Sequence, residues 1–87
     1  MRKYELLNIA SDLRRIARWV GENEVHKFNL VNRLYNEAKK DKLASQIMND
    51  SRVVIKNDLF KDKESRIWFA EQSLMASLRL TNLAMEM

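Results

Sequence analysis

The chain contains no proline and a single glycine, Gly21, among its 87 residues. β-Rich folds depend on both residue types in their turns, because proline presets the backbone angle and glycine adopts positive φ without steric cost. A chain with almost none of either therefore favours helices. Its apolar fraction of 46% and charged fraction of 32% are typical of a folded globular protein rather than a disordered one.

The first predicted helix runs from about Lys3 to Val20. Its apolar residues recur every three or four positions and share one face: Leu6, Ile9, Ala10, Leu13, Ile16, Ala17 and Val20. Gly21 follows directly, and we expect it to adopt the left-handed conformation that commonly terminates a helix. The pattern predicts an amphipathic helix with one side facing the core.

The second predicted helix begins near Asn23, a favoured N-cap residue. Its apolar stripe comprises Val25, Phe28, Val31, Leu34, Tyr35 and Ala38. The charged run at residues 39–42 interrupts this stripe, and the apolar residues after it follow a different phase. We therefore expect a bend at this run, with Asp41 as the N-cap of the next helix.

Residues 43–56 allow two interpretations. The favoured one is a third helix that carries its apolar stripe as far as Leu59. The alternative is a turn at residues 49–51 followed by an extended β-branched run at residues 53–55. Asp58 and Asp62 are both candidate N-caps for the final helix.

The final predicted helix covers Ile67 to Met87, and 13 of these 21 residues are apolar. One seam is expected to face the core: Ile67, Ala70, Leu74, Leu78, Thr81 and Met85. A second stripe lies nearly opposite and is predicted to be either core or a protein interface: Phe69, Ala76, Leu80, Leu83 and Met87. A helix with two apolar sides is buried between layers or shared with a partner. Glu71 and Arg79 argue against a membrane span, because a charge at the bilayer centre is costly.

Together these segments predict one all-α domain over residues 1–87. We expect a small antiparallel helical bundle of four helices, or of three with an irregular segment near residues 49–58. A chain of this length buries a limited share of its surface, so a partner would add stability.

No combination of residues points to catalysis. His26 lies four residues after Glu22, a spacing that can share a metal, but the chain has no second histidine and no cysteine to complete a site. One glycine cannot form a glycine-rich phosphate loop. We therefore expect no enzymatic activity, cofactor or metal. The absence of cysteine and of a signal-peptide pattern favours a cytoplasmic protein.

Residues 1–21 carry a net charge of +3, from five basic and two acidic side chains. Arg14, Arg15 and Arg18 near Trp19 could bind phosphates and stack on a base. The alternative is a solvated helix face whose arginines pair with nearby acids, while Trp19 packs on a neighbouring helix.

The leading hypothesis is a small non-catalytic intracellular interaction or regulatory protein. Its final helix would mediate self-association as a homodimer, or docking to another protein, through the second stripe. The alternative hypothesis is a nucleic-acid-binding regulator that uses the basic face of the first helix.

Overall fold

The computed structural model describes residues 2–55 and 59–87. Within these ranges the chain forms four α-helices and one 3-10 turn, and no strand. The helices are α1 (Arg2–Gly21), α2 (Phe28–Lys39), α3 (Lys42–Asp50) and α4 (Lys63–Met85), and the 3-10 turn is Val25–Lys27. The predicted all-α bundle is confirmed.

The long helices α1 and α4 pack antiparallel over most of their length and form the centre of the fold. The apolar face predicted for α1 is confirmed: all of its members are buried except Ile9, which is half-buried. Helices α2 and α3 cover the sides of this pair, and α2 contributes the buried residues Val31, Tyr35 and Ala38. The result is one continuous hydrophobic core.

Small side chains line the contact between α1 and α4. Ala10 of α1 and Ser73 and Ser77 of α4 are completely buried. The Ser77 hydroxyl donates a 2.9 Å hydrogen bond to the Ala10 carbonyl. These small groups let the two helix backbones approach closely, so that a hydroxyl on one helix reaches the main chain of the other.

The connection between α1 and α2 differs from the prediction. Gly21 is the last residue of α1 and does not have positive φ, whereas Asn23 is left-handed with φ 59°. Asparagine tolerates this conformation better than most residues. The Glu24 amide then donates to the Trp19 carbonyl at 2.9 Å, which satisfies one carbonyl at the end of α1. Asn23 therefore belongs to the turn that follows α1 and does not cap α2, which begins only at Phe28 with Lys27 as its N-cap.

The predicted bend after α2 is confirmed. Asp41 is the N-cap of α3, and its carboxylate accepts a 3.0 Å hydrogen bond from the Ala44 amide. The same carboxylate accepts hydrogen bonds from Arg2, in the first turn of α1. This residue therefore joins the start of α3 to the start of α1.

The segment after α3 combines both sequence interpretations. The helix ends at Asp50, so the favoured continuation of this helix is wrong over residues 51–55. The same prediction for residues 56–58 lies outside the described residues. Arg52 is left-handed with φ 60°, and the chain then continues without helix to residue 55. Val53 is buried, and its carbonyl accepts a 3.2 Å hydrogen bond from the Tyr35 hydroxyl. This contact fixes the chain against α2 in place of a further helical turn.

Helix α4 begins at the predicted cap, Asp62. Its carboxylate accepts hydrogen bonds from the Glu64 amide at 3.2 Å and from the Ser65 hydroxyl at 2.9 Å. The other candidate, Asp58, lies outside the described residues.

Candidate protein-interaction surface

The stripe predicted as an interface is largely part of the core. Phe69 is 2% exposed, and Ala76 and Leu80 are completely buried. Leu83 is half-buried, and Met87, beyond the end of α4, is exposed. The burial of the first three side chains removes them as candidates for docking a partner, because they already contact the rest of the protein.

The seam predicted to face the core is instead on the surface. Ile67, Leu74, Leu78 and Met85 are 41%, 45%, 50% and 63% exposed, respectively. The other two members, Ala70 and Thr81, are half-buried. The core prediction for this seam is therefore wrong. The reason is that α1 packs on the small residues of α4, which lie beside the second stripe, and this directs the seam to solvent.

Two further apolar side chains extend this surface around the helix. Trp68 is 46% exposed and Met75 is 49% exposed. We call the following six residues the exposed α4 face: Ile67, Trp68, Leu74, Met75, Leu78 and Met85. A side chain of this size presents roughly 200 Å² when free, so these six, each about half exposed, present about 600 Å² of mostly apolar surface. This area is a sum over the line of four residues and over Trp68 and Met75, which lie about a quarter turn around the helix from that line. The sum equals the upper end of the contiguous patches found on monomeric proteins.

A groove of about 440 Å³ borders this face, between α1 and α4. Ala17, Gly21 and Ala70 line it together with Ile67 and Leu74 of the exposed α4 face. Its charged lining residues are Arg14, Arg18 and Glu71. The groove is large enough for aliphatic side chains of another helix, and its charges lie beside an apolar floor.

The basic residues proposed for nucleic-acid binding have partners within the protein. Arg14 donates to the Ser77 hydroxyl at 3.2 Å and to Thr81 at 3.5 Å. Arg15 lies 3.6 Å from a carboxylate oxygen of Asp12.

Arg18 likewise lies 3.8 Å from a carboxylate oxygen of Glu22. Trp19 is half-buried, and the Lys27 ammonium lies 4.9 Å from the centre of its ring. The arrangement agrees with a solvated helix face whose arginines pair with nearby acids. Among the described residues, the three arginines have partners and the Trp19 ring is partly covered, so they do not form one open basic surface.

His26 is exposed in the 3-10 turn. Across residues 2–55 and 59–87, no three side chains of histidine, cysteine, aspartate or glutamate are grouped as a metal-binding set. None of the helices described has both the length and the hydropathy required to cross a membrane.

Comparisons with protein-family models, curated proteins and solved structures find no match to this chain.

Neither predicted stripe of the final helix includes Trp68 or Met75, so the sequence prediction misses their part in this surface. The missed signal was the row of small residues on α4: Ser73, Ser77 and Ala84. These match Ala10 and Ala17 on α1, and small residues on two helices mark the sides that approach most closely. Recognising that match would have placed α1 correctly and left the seam of Ile67 and Leu74 exposed.

Proposed function

We propose that this is a non-catalytic interaction protein that self-associates through the exposed α4 face. The observation that supports it is the line of Ile67, Leu74, Leu78 and Met85, which spans 19 residues, or roughly 27 Å of helix. All four are at least 41% exposed. Leaving this surface in water is unfavourable, since apolar burial yields roughly 25 cal/mol per Å².

The size of the face suits a modest interface. Two copies that cover it would bury about 1,200 Å² of mostly apolar surface in total, and the flanking residues would add to this. Stable protein–protein interfaces bury roughly 1,200–2,000 Å². A reversible dimer at micromolar concentration fits an area at the lower end of this range.

The composition of the face also supports an interface. Methionine and aromatic residues are enriched at protein–protein interfaces, and charged residues are depleted at their centres. Met75, Met85 and Trp68 supply the enriched types. The nearby charges of Arg14 and Glu71 lie at the edge of the apolar surface, where a polar rim is expected.

Sedimentation equilibrium tests this proposal. The concentrations run over about 1–200 µM, a range around the expected micromolar dissociation constant. We expect the native protein to dimerise and Leu78→Glu to remain monomeric, because the new carboxylate would be buried without a partner. The matched control is Leu30→Glu on α2, where the leucine is 37% exposed but lies away from α4. Circular dichroism should show that both variants remain folded. A native protein that stays monomeric throughout, or that dimerises equally well with Leu78→Glu, would contradict the proposal.

The nucleic-acid hypothesis has weaker support, because Arg15 and Arg18 pair with acids of the same helical region. It predicts binding that weakens steeply with salt, as phosphate contacts release counterions. Failure to shift DNA or RNA at low salt would remove it.

A further inference from the structure

We propose that two copies pair their exposed α4 faces in antiparallel orientation, about a two-fold axis level with position 76. Ile67 of one copy then lies against Met85 of the second copy, and Leu74 lies against Leu78. This inference rests on the proposed self-association and assigns its geometry.

The spacing of the exposed side chains supports this orientation. Ile67, Leu74, Leu78 and Met85 are separated by seven, four and seven residues. The spacing therefore reads the same in both directions, with its centre at position 76. In an antiparallel helix pair about a two-fold axis, each residue on one side of the axis meets the residue at the same distance on the other side. A spacing that is unchanged on reversal therefore brings each large apolar side chain against another.

The polar interruptions of the line follow the same symmetry. Glu71 and Thr81 lie on this side of α4, five residues before and five residues after position 76. Antiparallel pairing brings them to the same level, so each polar residue meets a polar region. The large apolar side chains are then left to meet one another.

The charges beside the exposed α4 face support the same orientation. The Glu71 carboxylate has no ion pair within 4 Å in the described part of the protomer, whereas the guanidinium of Arg14 lies 3.5 Å from the Thr81 hydroxyl. When Glu71 reaches the level of Thr81 of the second copy, its carboxylate approaches that copy's Arg14. Symmetry produces this contact twice. Parallel pairing in register instead puts both Glu71 side chains at one level of the interface.

The native chain has no cysteine, so introduced cysteines report the orientation directly. Ile67→Cys and Met85→Cys are prepared as separate chains that carry tags of different mass. They are mixed, allowed to exchange and oxidised. A disulfide needs Cα atoms within roughly 7 Å. In the antiparallel pair, Ile67 meets Met85 of the second copy, whereas two copies of either variant alone hold their cysteines roughly 27 Å apart.

We expect covalent heterodimers in the mixture and little covalent dimer from either variant alone. Efficient crosslinking of each variant alone shows parallel pairing and overturns the proposed orientation, while the proposed self-association stands. If the native protein is a dimer but neither the mixture nor either variant alone forms covalent dimers, the proposed register is overturned. A native protein that is monomeric by sedimentation overturns both proposals.

Charge exchange tests the contact between Glu71 and Arg14 of the second copy independently. Glu71→Arg and Arg14→Glu should each raise the dimer dissociation constant by about tenfold, because each places like charges together at two symmetric contacts. The double variant should return to within about threefold of the native value. Equal weakening by the double variant and the single variants would show that the two residues do not meet.

Discussion

The guanidinium of Arg2 donates two hydrogen bonds to the carboxylate of Asp41, one of them at 2.8 Å, across a sequence separation of 39 residues. The contact joins the first turn of α1 to the N-cap of α3. The Arg2 hydrogen bond is the main cause of the low pKa of Asp41, which falls to about 2, and the Ala44 amide adds to it. The start of α3 is therefore linked electrostatically to α1.

The low pKa of Asp41 predicts a pH-dependent contribution to stability. The folded protein favours the ionised carboxylate, so this contribution is fully present above about pH 4, the ordinary pKa of aspartate, and is lost as the pH falls through about 2. We expect the free energy of unfolding of Asp41→Asn, measured in urea, to lie below the native value at pH 7. The difference should narrow between pH 4 and pH 2. The difference in the free energy of unfolding between the native protein and Arg2→Gln should narrow over the same interval. A difference that is constant with pH would contradict this assignment.

Two buried serines on α4 offer a matched pair. The Ser77 hydroxyl donates to the Ala10 carbonyl, whereas the buried Ser73 hydroxyl has no hydrogen-bond partner among the residues that the structure describes. An unpaired buried hydroxyl costs about 1–3 kcal/mol, and a net hydrogen bond contributes about 1 kcal/mol. We expect Ser73→Ala to raise the free energy of unfolding and Ser77→Ala to lower it, with a difference between them of about 2–4 kcal/mol. The gain in helix propensity is common to both, so equal effects in denaturant titrations would contradict the hydrogen-bond assignment.

Replacing Gly21 tests the end of α1. Gly21 has helical rather than positive φ, and an added Cβ would lie 3.6 Å from the Ala70 Cβ, an ordinary contact. Gly21→Ala should therefore raise the free energy of unfolding by up to about 1 kcal/mol, since glycine costs that much relative to alanine in a helix. Asn23→Ala should lower it, because Asn23 is the left-handed residue. Thermal unfolding of both variants measures the two effects, and a loss of stability in Gly21→Ala would place the left-handed residue at Gly21.

Leu80 lies on the core side of α4, and Leu78 lies on its exposed side. Leu80 is completely buried, whereas Leu78 is 50% exposed. We expect Leu80→Ala to lower the free energy of unfolding by about 2–5 kcal/mol, the usual cost of emptying a core site. Leu78→Ala should cost less than about 1 kcal/mol when unfolding is measured at a concentration too low for association. The opposite order would restore the sequence-based assignment of these two stripes.

The fold could be predicted from sequence where a helix has one apolar side. Helix α1 is such a case, because its stripe from Leu6 to Val20 leaves only one surface to bury. The bend at Asp41 and the cap at Asp62 were also predictable, since each carboxylate needs only the local amides it accepts from. These features depend on a few neighbouring residues.

The surface of α4 could not be assigned by the same reasoning. Both of its stripes are apolar, so hydrophobic periodicity gives no preference for Leu74 over Phe69 as the residue that faces the core. The deciding factor is the long-range match between the small residues of two helices that are about 60 residues apart in sequence. The path after α3 depends similarly on a distant group, because the Tyr35 hydroxyl donates a hydrogen bond to the Val53 carbonyl.

The hydrogen bond from Ser77 to Ala10 has a consequence for how uniquely the chain folds. A helix that is apolar on two sides could turn about its own axis and offer either stripe to α1 at little loss of buried area. Only one of these settings brings Ser77 within reach of the α1 main chain and leaves room for the close backbones. Two small side chains, rather than the large apolar ones, thus select a single rotational setting for α4.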